Sequence, residues 1–493
     1  MLSDDDNEDE SETELEKKSR KIDEERERQM EEAELDLQES TKDHFKWVPP
    51  SEEELTKEKQ TGVDMKVVKE RMLQNLECLS DFKRYQAEGI SRNHYLKVLK
   101  EDAAYYYGYI PYLIEKIFQL FPPAEALEFL EANGSPRPVT IRVNTLKTRR
   151  KDLKSALLNR GINLEDIEWT PIGIQVFESP IPIGATPEYL AGHYMIQSAS
   201  SWTPVLSLDP QPGERVLDMA AAPGGKTTHI AALMKNSGEL FANDVNASRS
   251  KALTANIHRM GVTNAIVTNY DGIKLPKHFP NYFDRVLLDA PCTGLGVVSK
   301  DPSVKVKRNA EDLHKLSYHQ KQLILAAIDS INPNSKTGGY LVYSTCSIST
   351  EENEAVVDYL LRKRGVKLVD TGLPFGKPGY VKCQEHKFDQ SVKMSRRFYP
   401  HVYNMDGFYV AKFKKLSNWK AGKREGENDP EEVATQTTEN KEATKDNNSK
   451  QPPKQTNKPN KPKKNPNKPK KTAAPPNAQK RSLKRKRTEE KKE

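Results

Sequence analysis

From about residue 211 the chain alternates short β-branched, apolar runs with helix-length amphipathic ones, and this rhythm constrains its fold more than any other feature. Residues 215–219 read as a strand and 225–235 as a helix; 240–243 and 247–260 repeat the pair. Residues 265–268, 285–289 and 340–344 supply further strands, with helices expected near 319–331 and 351–364. Strands separated by helices cannot pair as hairpins. They pair in parallel through right-handed crossovers, so the expected fold class is α/β, a doubly wound sheet.

Upstream, 66–130 reads as helical. The segment YIPYLIEKIFQLF at 109–121 places Leu113, Ile114, Ile117 and Leu120 on one helical face. Residues 139–143 alternate as a short strand, 149–160 read as a helix closed by Gly161, and 174–177 as another strand. A helix–strand–helix–strand accessory domain is expected there.

The ends differ from this body. Across 493 residues the net charge is +7, yet residues 1–60 carry −13, 418–493 carry +11 and the remainder +9. The acidic head holds too few apolar residues to offset the entropy of ordering, so it is expected to be disordered or a lone solvated helix. The tail has no aromatic residue after Trp419, runs NKPNKPKKNPNKPKK at 457–471 and closes on KRSLKRKR at 480–487. Proline and like-charge repulsion keep such a segment extended, and the final cluster suits nuclear import or phosphate binding. Cys78, Cys292, Cys346 and Cys383 form no CxxC pair, which argues against a disulfide scaffold and against structural zinc. No apolar run approaches 18 residues, so neither a membrane span nor a secretory leader is expected.

Ligands of open α/β sheets bind outside the carboxyl ends of the strands. Asp218 ends the first strand, and Ala220, Ala221, Ala222, Pro223, Gly224, Gly225 and Lys226 lead from it into a helix. Small residues there let backbone approach a ligand. Asp244, 26 residues after Asp218, ends the second strand, where a carboxylate can accept from both ribose hydroxyls of an adenosine. Asp271, after the third, is placed to meet the adenine edge. A P-loop would need glycine at Ala220, and a dinucleotide fingerprint needs a third spaced glycine. The loop with Asp244 therefore points to S-adenosylmethionine over ATP or NAD.

The fourth strand runs into Asp289-Ala290-Pro291-Cys292-Thr293-Gly294, the fifth into Ser344-Thr345-Cys346-Ser347. One buried cysteine is usually an inert small hydrophobe. Two at one sheet edge beside a carboxylate suit methylation at carbon 5 of a pyrimidine. That carbon is a poor nucleophile until a thiolate adds to C6, and an acid near N3 stabilises the charge that develops on the ring. Amino-group methylation favours an Asn/Asp-Pro-Pro-aromatic loop, which 289–292 is not. Chemistry alone leaves the nucleophile open between Cys292, which follows proline, and Cys346.

DAPCTG at 289–294, STCS at 344–347, AAAPGGKT at 220–227 and RPVTIRVNT at 137–145 resemble the RNA cytosine-5 methyltransferases of the Sun-domain superfamily. YYGYIPYLIEKIFQLFP at 106–122 and YPHVYNMDGFYVAKF at 399–413 are most similar to its nucleolar protein two branch. The resemblance covers about 100–415. It implies an RNA-recognition-like domain before a Rossmann-like methyltransferase domain, with S-adenosylmethionine as cofactor and no metal. It also implies Cys346 as nucleophile, Cys292 in product release, Asp289 between substrate ring and cofactor, and cofactor contacts from Ala220–Lys226, Asp244, Asp271 and Asp289. The family loop often begins with Cys where this chain has Ala220.

The layout expected is an acidic disordered region 1–65, a helical extension 66–103, an RNA-binding domain 104–205, the catalytic domain 206–416 and a basic disordered tail 417–493. The resemblance implies 5-methylcytosine formation in large-subunit ribosomal RNA and a role in assembly of that subunit. Its expected partners are ribosomal RNA, pre-ribosomal large-subunit particles and assembly factors, in the nucleus and nucleolus. An assembly factor with dispensable catalysis, or a transfer-RNA methyltransferase of the same superfamily, fits the same motifs.

Overall fold

The computed structural model describes residues 25–26, 28–30 and 46–421. Most of the acidic head and the whole tail from 422, with its KRSLKRKR cluster, lie outside the described residues. Among those described, no helix is long and apolar enough to cross a membrane.

Helices Glu52–Thr61, Met65–Ser80, Arg92–Tyr107, Pro111–Leu120 and Pro123–Gly134 come first. Their ends follow from local chemistry. Ser51 and Glu54 form a capping box, Gly108 closes a helix in the left-handed region, and proline opens the last two. The apolar face expected at 109–121 is buried at Leu113, Ile114 and Ile117, against Tyr95, Leu99 and Phe129. Two expected boundaries therefore move. Residue 103 lies inside the helix Arg92–Tyr107, and residues 46–65 of the expected disordered region carry a helix and pack Trp47 edge-on to Tyr95. The same apolar cluster takes in Leu295, Val298, Val304 and Ile348, so the helices buttress the loops that follow Cys292 and Cys346.

Next come β1 (Val139–Val143), β2 (Asn163–Asp166), β3 (Gly173–Glu178) and β4 (Tyr194–Ile196), an antiparallel sheet in the order β2-β3-β1-β4. The expected accessory domain had two strands. β2 and β4 are four and three residues long, too short for alternation to announce them. Ile141 and Val143 of β1 are buried with Leu153 and Leu157 of the helix Arg150–Leu158. Arg142 is also buried. Its guanidinium donates to Thr228 Oγ1 (2.8 Å), Gln197 Oε1 (2.9 Å) and Gly225 O, tying the accessory sheet to the first turn after the glycine loop.

The larger sheet contains β5 (Arg215–Asp218), β6 (Glu239–Asn243), β7 (Ala265–Thr268), β8 (Arg285–Asp289) and β9 (Tyr340–Thr345), all in parallel pairs. Their spatial order β9-β8-β5-β6-β7 reverses beside β5, which makes the carboxyl ends of β5 and β8 the switch point. The expected doubly wound core is therefore present. An antiparallel flank, absent from the sequence reading, extends it: β10 (Arg364–Val369), β11 (Lys377–Pro378), β14 (Arg396–Phe398) and β15 (Phe408–Lys420), with β12 (Lys382–Cys383) and β13 (His386–Lys387) as a separate ribbon. β15 pairs with β9 and β10 and runs past residue 416. The helix expected at 319–331 spans Ala310–Asp329, because an Asn309–Asp312 capping box starts its polar first turns.

Gly192 marks where the accessory sheet touches the domain built on the larger sheet. Its φ is +75°, and a Cβ would lie 1.9 Å from the Arg259 carbonyl oxygen. Asn144 Nδ2 bridges this contact, donating to Gly192 O and Met260 O at 2.8 Å each. Gly192→Ala is expected to cost about 2 kcal/mol of stability, combining a left-handed backbone with a backbone clash. Urea denaturation measures this, and an unchanged midpoint contradicts the packing described.

Candidate active site

Parallel pairing fixes the centre of the site. Asp289 and Ser344 are register partners at the ends of β8 and β9. Ser344 Oγ donates to Asp289 Oδ1 at 2.7 Å, and Lys226 Nζ donates to Asp289 Oδ2, also at 2.7 Å. Lys226, grouped with the cofactor loop in the sequence reading, thus reaches across the switch point. Its ammonium lies 5.5 Å from the ring centroid of Phe408. Burial alone would lower the Lys226 pKa, but the charges of Asp289, Asp218 and Cys346 outweigh it and raise the value.

The two strand-end thiols converge. Cys292 Sγ and Cys346 Sγ lie 3.2 Å apart, both cysteines partly exposed and unbridged. Their environments differ. The Cys292 pKa is pushed well up, first by its hydrogen bond to Cys346, then by burial and by the Cys346 and Glu352 charges. The Cys346 backbone is pinned by Gly296 N–H donating to its carbonyl at 2.9 Å, and Gly407 N–H donates to Gly296 O at 2.8 Å. A Cβ on Gly296 would fall 2.1 Å from Gly407 O, so this stack requires glycine.

Around β5 and β6 the backbone folds tightly. Ala221 N–H donates to Asn243 O and Gly224 N–H to Ala221 O, each at 2.7 Å. Gly224, at φ +102°, opens the helix Gly225–Leu233. Asp244 is buried; its Oδ2 accepts Ala222 N–H at 3.1 Å and its Oδ1 accepts Asn246 N–H at 2.9 Å. Oδ2 also faces the Arg249 guanidinium at 3.7 Å, and each oxygen keeps acceptor capacity beside these partners. Beside it Val245 is 70% exposed, an apolar surface that sequence inspection passed over. Asp271 lies farther out. Its carboxylate accepts Ile273 N–H at 3.1 Å and pairs with Lys274 at 3.3 Å, starting a short 3₁₀ turn. S-adenosylmethionine fits this donor set: a close-approach glycine loop, a carboxylate open to a diol and an apolar shelf for a purine. Among the described residues no cluster of three or more His, Cys, Asp or Glu could hold a metal ion.

Residues 205–414 match the family described as 16S rRNA methyltransferase RsmB/F, and 111–199 match the N-terminal domain of 16S rRNA methyltransferase RsmF. A tRNA (cytosine(49)-C(5))-methyltransferase from Pyrococcus abyssi is 40% identical over 309 residues, 62% of this chain and 95% of that protein. The chain belongs to the RsmB/RsmF methyltransferase family. The 25S rRNA (cytosine-C(5))-methyltransferase nop2 of Schizosaccharomyces pombe is 55% identical over 384 residues, 76% of this chain. The chain spans 63% of that relative's length. A solved methyltransferase homologue from Pyrococcus horikoshii superposes with a TM-score of 0.58 at 36% identity, covering 64% of this chain and 98% of that one.

Asp218 is the costly group of the site. It is buried, Thr227 Oγ1 donates to its Oδ2 at 2.7 Å, and its Oδ1 has no partner among the described residues. Burial raises its pKa to about 7, with Thr227 and Lys226 opposing and Asp289 and Asp244 adding to the rise. The folded state therefore holds a proton that the unfolded state loses near pH 4, and this contribution to stability fades as pH rises towards 7. Asp218→Asn, measured without added cofactor, should raise the melting temperature relative to the parent more at pH 8 than at pH 5. An equal shift at both pH values contradicts a raised Asp218 pKa.

Proposed function

We propose that this chain is an S-adenosylmethionine-dependent RNA methyltransferase that forms 5-methylcytosine in large-subunit ribosomal RNA through a covalent Cys346–C6 bond. One observation carries the chemistry: two sulfurs 3.2 Å apart, beside an Asp289 carboxylate bonded to the Lys226 ammonium, at the switch point of the sheet. Asp244 would hold the cofactor ribose, the 220–226 loop its methionine moiety, Val245 one purine face and Asp271 the purine edge. The cofactor, when bound, supplies an electrophilic methyl group.

The chain's own residues divide the remaining work. Once its proton has gone to solvent, the Cys346 thiolate adds to C6 and pushes the ring electrons toward N3, where the Lys226 ammonium, held by Asp289, offsets the negative charge and leaves C5 enamine-like. After C5 is methylated, a base takes its proton, the C6–S bond breaks and the electron pair returns to sulfur. Cys292 assists this release. The division of labour is supported by their surroundings: Cys292 is held as a neutral thiol, whereas Cys346 shares its pocket with the Lys226 ammonium.

A base inside a duplex cannot reach this pocket, so the substrate is an unstacked cytosine in a loop or in immature RNA. Ribosomal RNA is favoured because identity reaches 55% with the nop2 enzyme against 40% with the transfer-RNA enzyme. The tail, with 16 Lys+Arg against 3 Asp+Glu over 451–493 and no aromatic residue, supplies sequence-independent phosphate affinity. Its KRSLKRKR cluster fits nuclear and nucleolar residence, where the protein would also take part in assembling pre-ribosomal large-subunit particles.

Denaturing gels of protein incubated with labelled RNA and cofactor test the thiol roles. Cys346→Ala should abolish both methylation and the covalent RNA adduct, and Cys292→Ala should accumulate the adduct. The reverse pattern would make Cys292 the nucleophile. Asp244→Ala should weaken cofactor binding in calorimetry by about tenfold or more, as loss of charged hydrogen bonds requires; undiminished affinity removes Asp244 from the cofactor site.

A further inference from the structure

The turn that follows Cys346 carries three consecutive buried polar residues, Glu352, Asn353 and Glu354. The sequence reading placed them in the opening of a helix. In the structure that helix starts at Glu354, and the side chains before it face back toward the two cysteine loops.

Glu352 serves chiefly the Cys292 loop, although Ser347, beside Cys346, also bonds to it and has its Oγ 3.2 Å from Thr293 Oγ1. Its Oε1 accepts Thr293 N–H at 2.8 Å and its Oε2 accepts Thr293 Oγ1 at 2.6 Å, so both atoms of the residue after Cys292 are held. Gln320 Nε2 bridges Glu352 Oε1 (3.0 Å) and Pro291 O (2.7 Å), so the residue before Cys292 is held too. Asn353 serves the other thiol. Its Oδ1 accepts Thr345 Oγ1 at 2.6 Å and its Nδ2 donates to Ser347 O at 3.0 Å, one bond on either side of Cys346. Glu354 anchors the frame. It takes a two-pronged ion pair from the buried Arg397, whose Nη1 donates to Ile348 O at 2.7 Å.

Burying a carboxylate costs free energy that its bonds from an amide, a hydroxyl and a side-chain amide offset only in part. Burial raises the Glu352 pKa despite the bonds from Ser347, Thr293 and Gln320. An apolar residue would fill the same space at lower cost. What it could not do is set the separation of two sulfurs carried by different strands.

We propose that Glu352 and Asn353 are positioning residues that each hold one thiol, Glu352 holding Cys292 through Thr293 and Asn353 holding Cys346 through Thr345 and Ser347. The pairing rests on the cysteine chemistry proposed above, but its signature is separable from the assignment of roles. Each variant copies the variant of its own cysteine.

Glu352→Ala should therefore accumulate the covalent protein–RNA adduct like Cys292→Ala, by about tenfold over the parent, since a buried hydrogen-bonded group is lost. Asn353→Ala should lower adduct and methylation together, by about tenfold, like Cys346→Ala. Glu352→Gln keeps an acceptor for Thr293 N–H and a donor for Thr293 Oγ1, and should restore release. Calorimetric cofactor affinity reports folding, and should stay within about twofold for all three because none touches the loop or Asp244. If Glu352→Ala fails to bind cofactor, Thr293→Val, which removes the hydroxyl bonds to Glu352 and Ser347 and keeps the backbone bond to Glu352, should show the same adduct in smaller amount. Parallel loss of adduct and turnover in both alanine variants, with cofactor binding intact, overturns the pairing. Exchange of the two cysteine phenotypes, with Glu352 still following Cys292, overturns the proposed nucleophile and leaves the pairing standing.

Discussion

Parallel pairing of β8 with both β5 and β9 is the constraint on which the site depends. Because β8 enters on the far side of β5 from β6, the chain leaves a crevice at their carboxyl ends. The pairing puts Asp289 level with Ser344, and the next few residues of each strand then deliver Cys292 and Cys346 to one point. A one-residue slip in β9 would turn its side chains to the other face of the sheet and separate the pair. The glycine loop after β5 approaches from the opposite wall and contributes Lys226. No single loop builds the centre; three strand ends converge on it.

This convergence buries polar groups that a simple core would exclude. Arg142 lies inside the junction with neutral oxygens as its hydrogen-bond partners, and burial lowers its pKa to about 9. Arg397 and Glu354 form an ion pair out of water, flanked by the Tyr380 and Tyr409 rings. A buried pair of that kind contributes little net stability but is costly to break on one side, so it fixes geometry more than it strengthens the fold. Both lie one hydrogen bond away from a functional loop: Arg142 on the first turn after Gly224, Arg397 on the carbonyl two residues past Cys346.

Much of the site was legible because its residues sit where a strand pattern stops. Asp218, Asp244, Asp289, Cys292 and Cys346 lie at or just past the ends of short apolar runs, so the strand pattern puts them at one sheet edge. The roles expected of them came from thiol chemistry and the family resemblance. Lys226 was legible as part of the loop, but its ion pair with Asp289 is a tertiary contact that no spacing encodes. Glu352 and Asn353 were hidden by a helix-compatible sequence at 351–364, since polar residues at a helix start read as ordinary solvated caps. β15 was missed for another reason: an antiparallel strand completing a parallel sheet is decided by what β9 leaves unpaired at its edge. The domain boundary near residue 103 moved because the helices on both sides of it share one core.

Nucleoside mass spectrometry of RNA methylated in vitro tests the central claim most directly. The full chain would be incubated with isotopically labelled S-adenosylmethionine and, separately, protein-free large-subunit ribosomal RNA and bulk transfer RNA, each digested to nucleosides. The account predicts label in 5-methylcytidine from the ribosomal RNA, and far less from transfer RNA. Label confined to transfer RNA would contradict the substrate, and label in N4-methylcytidine or another base would contradict the chemistry read from the two thiols.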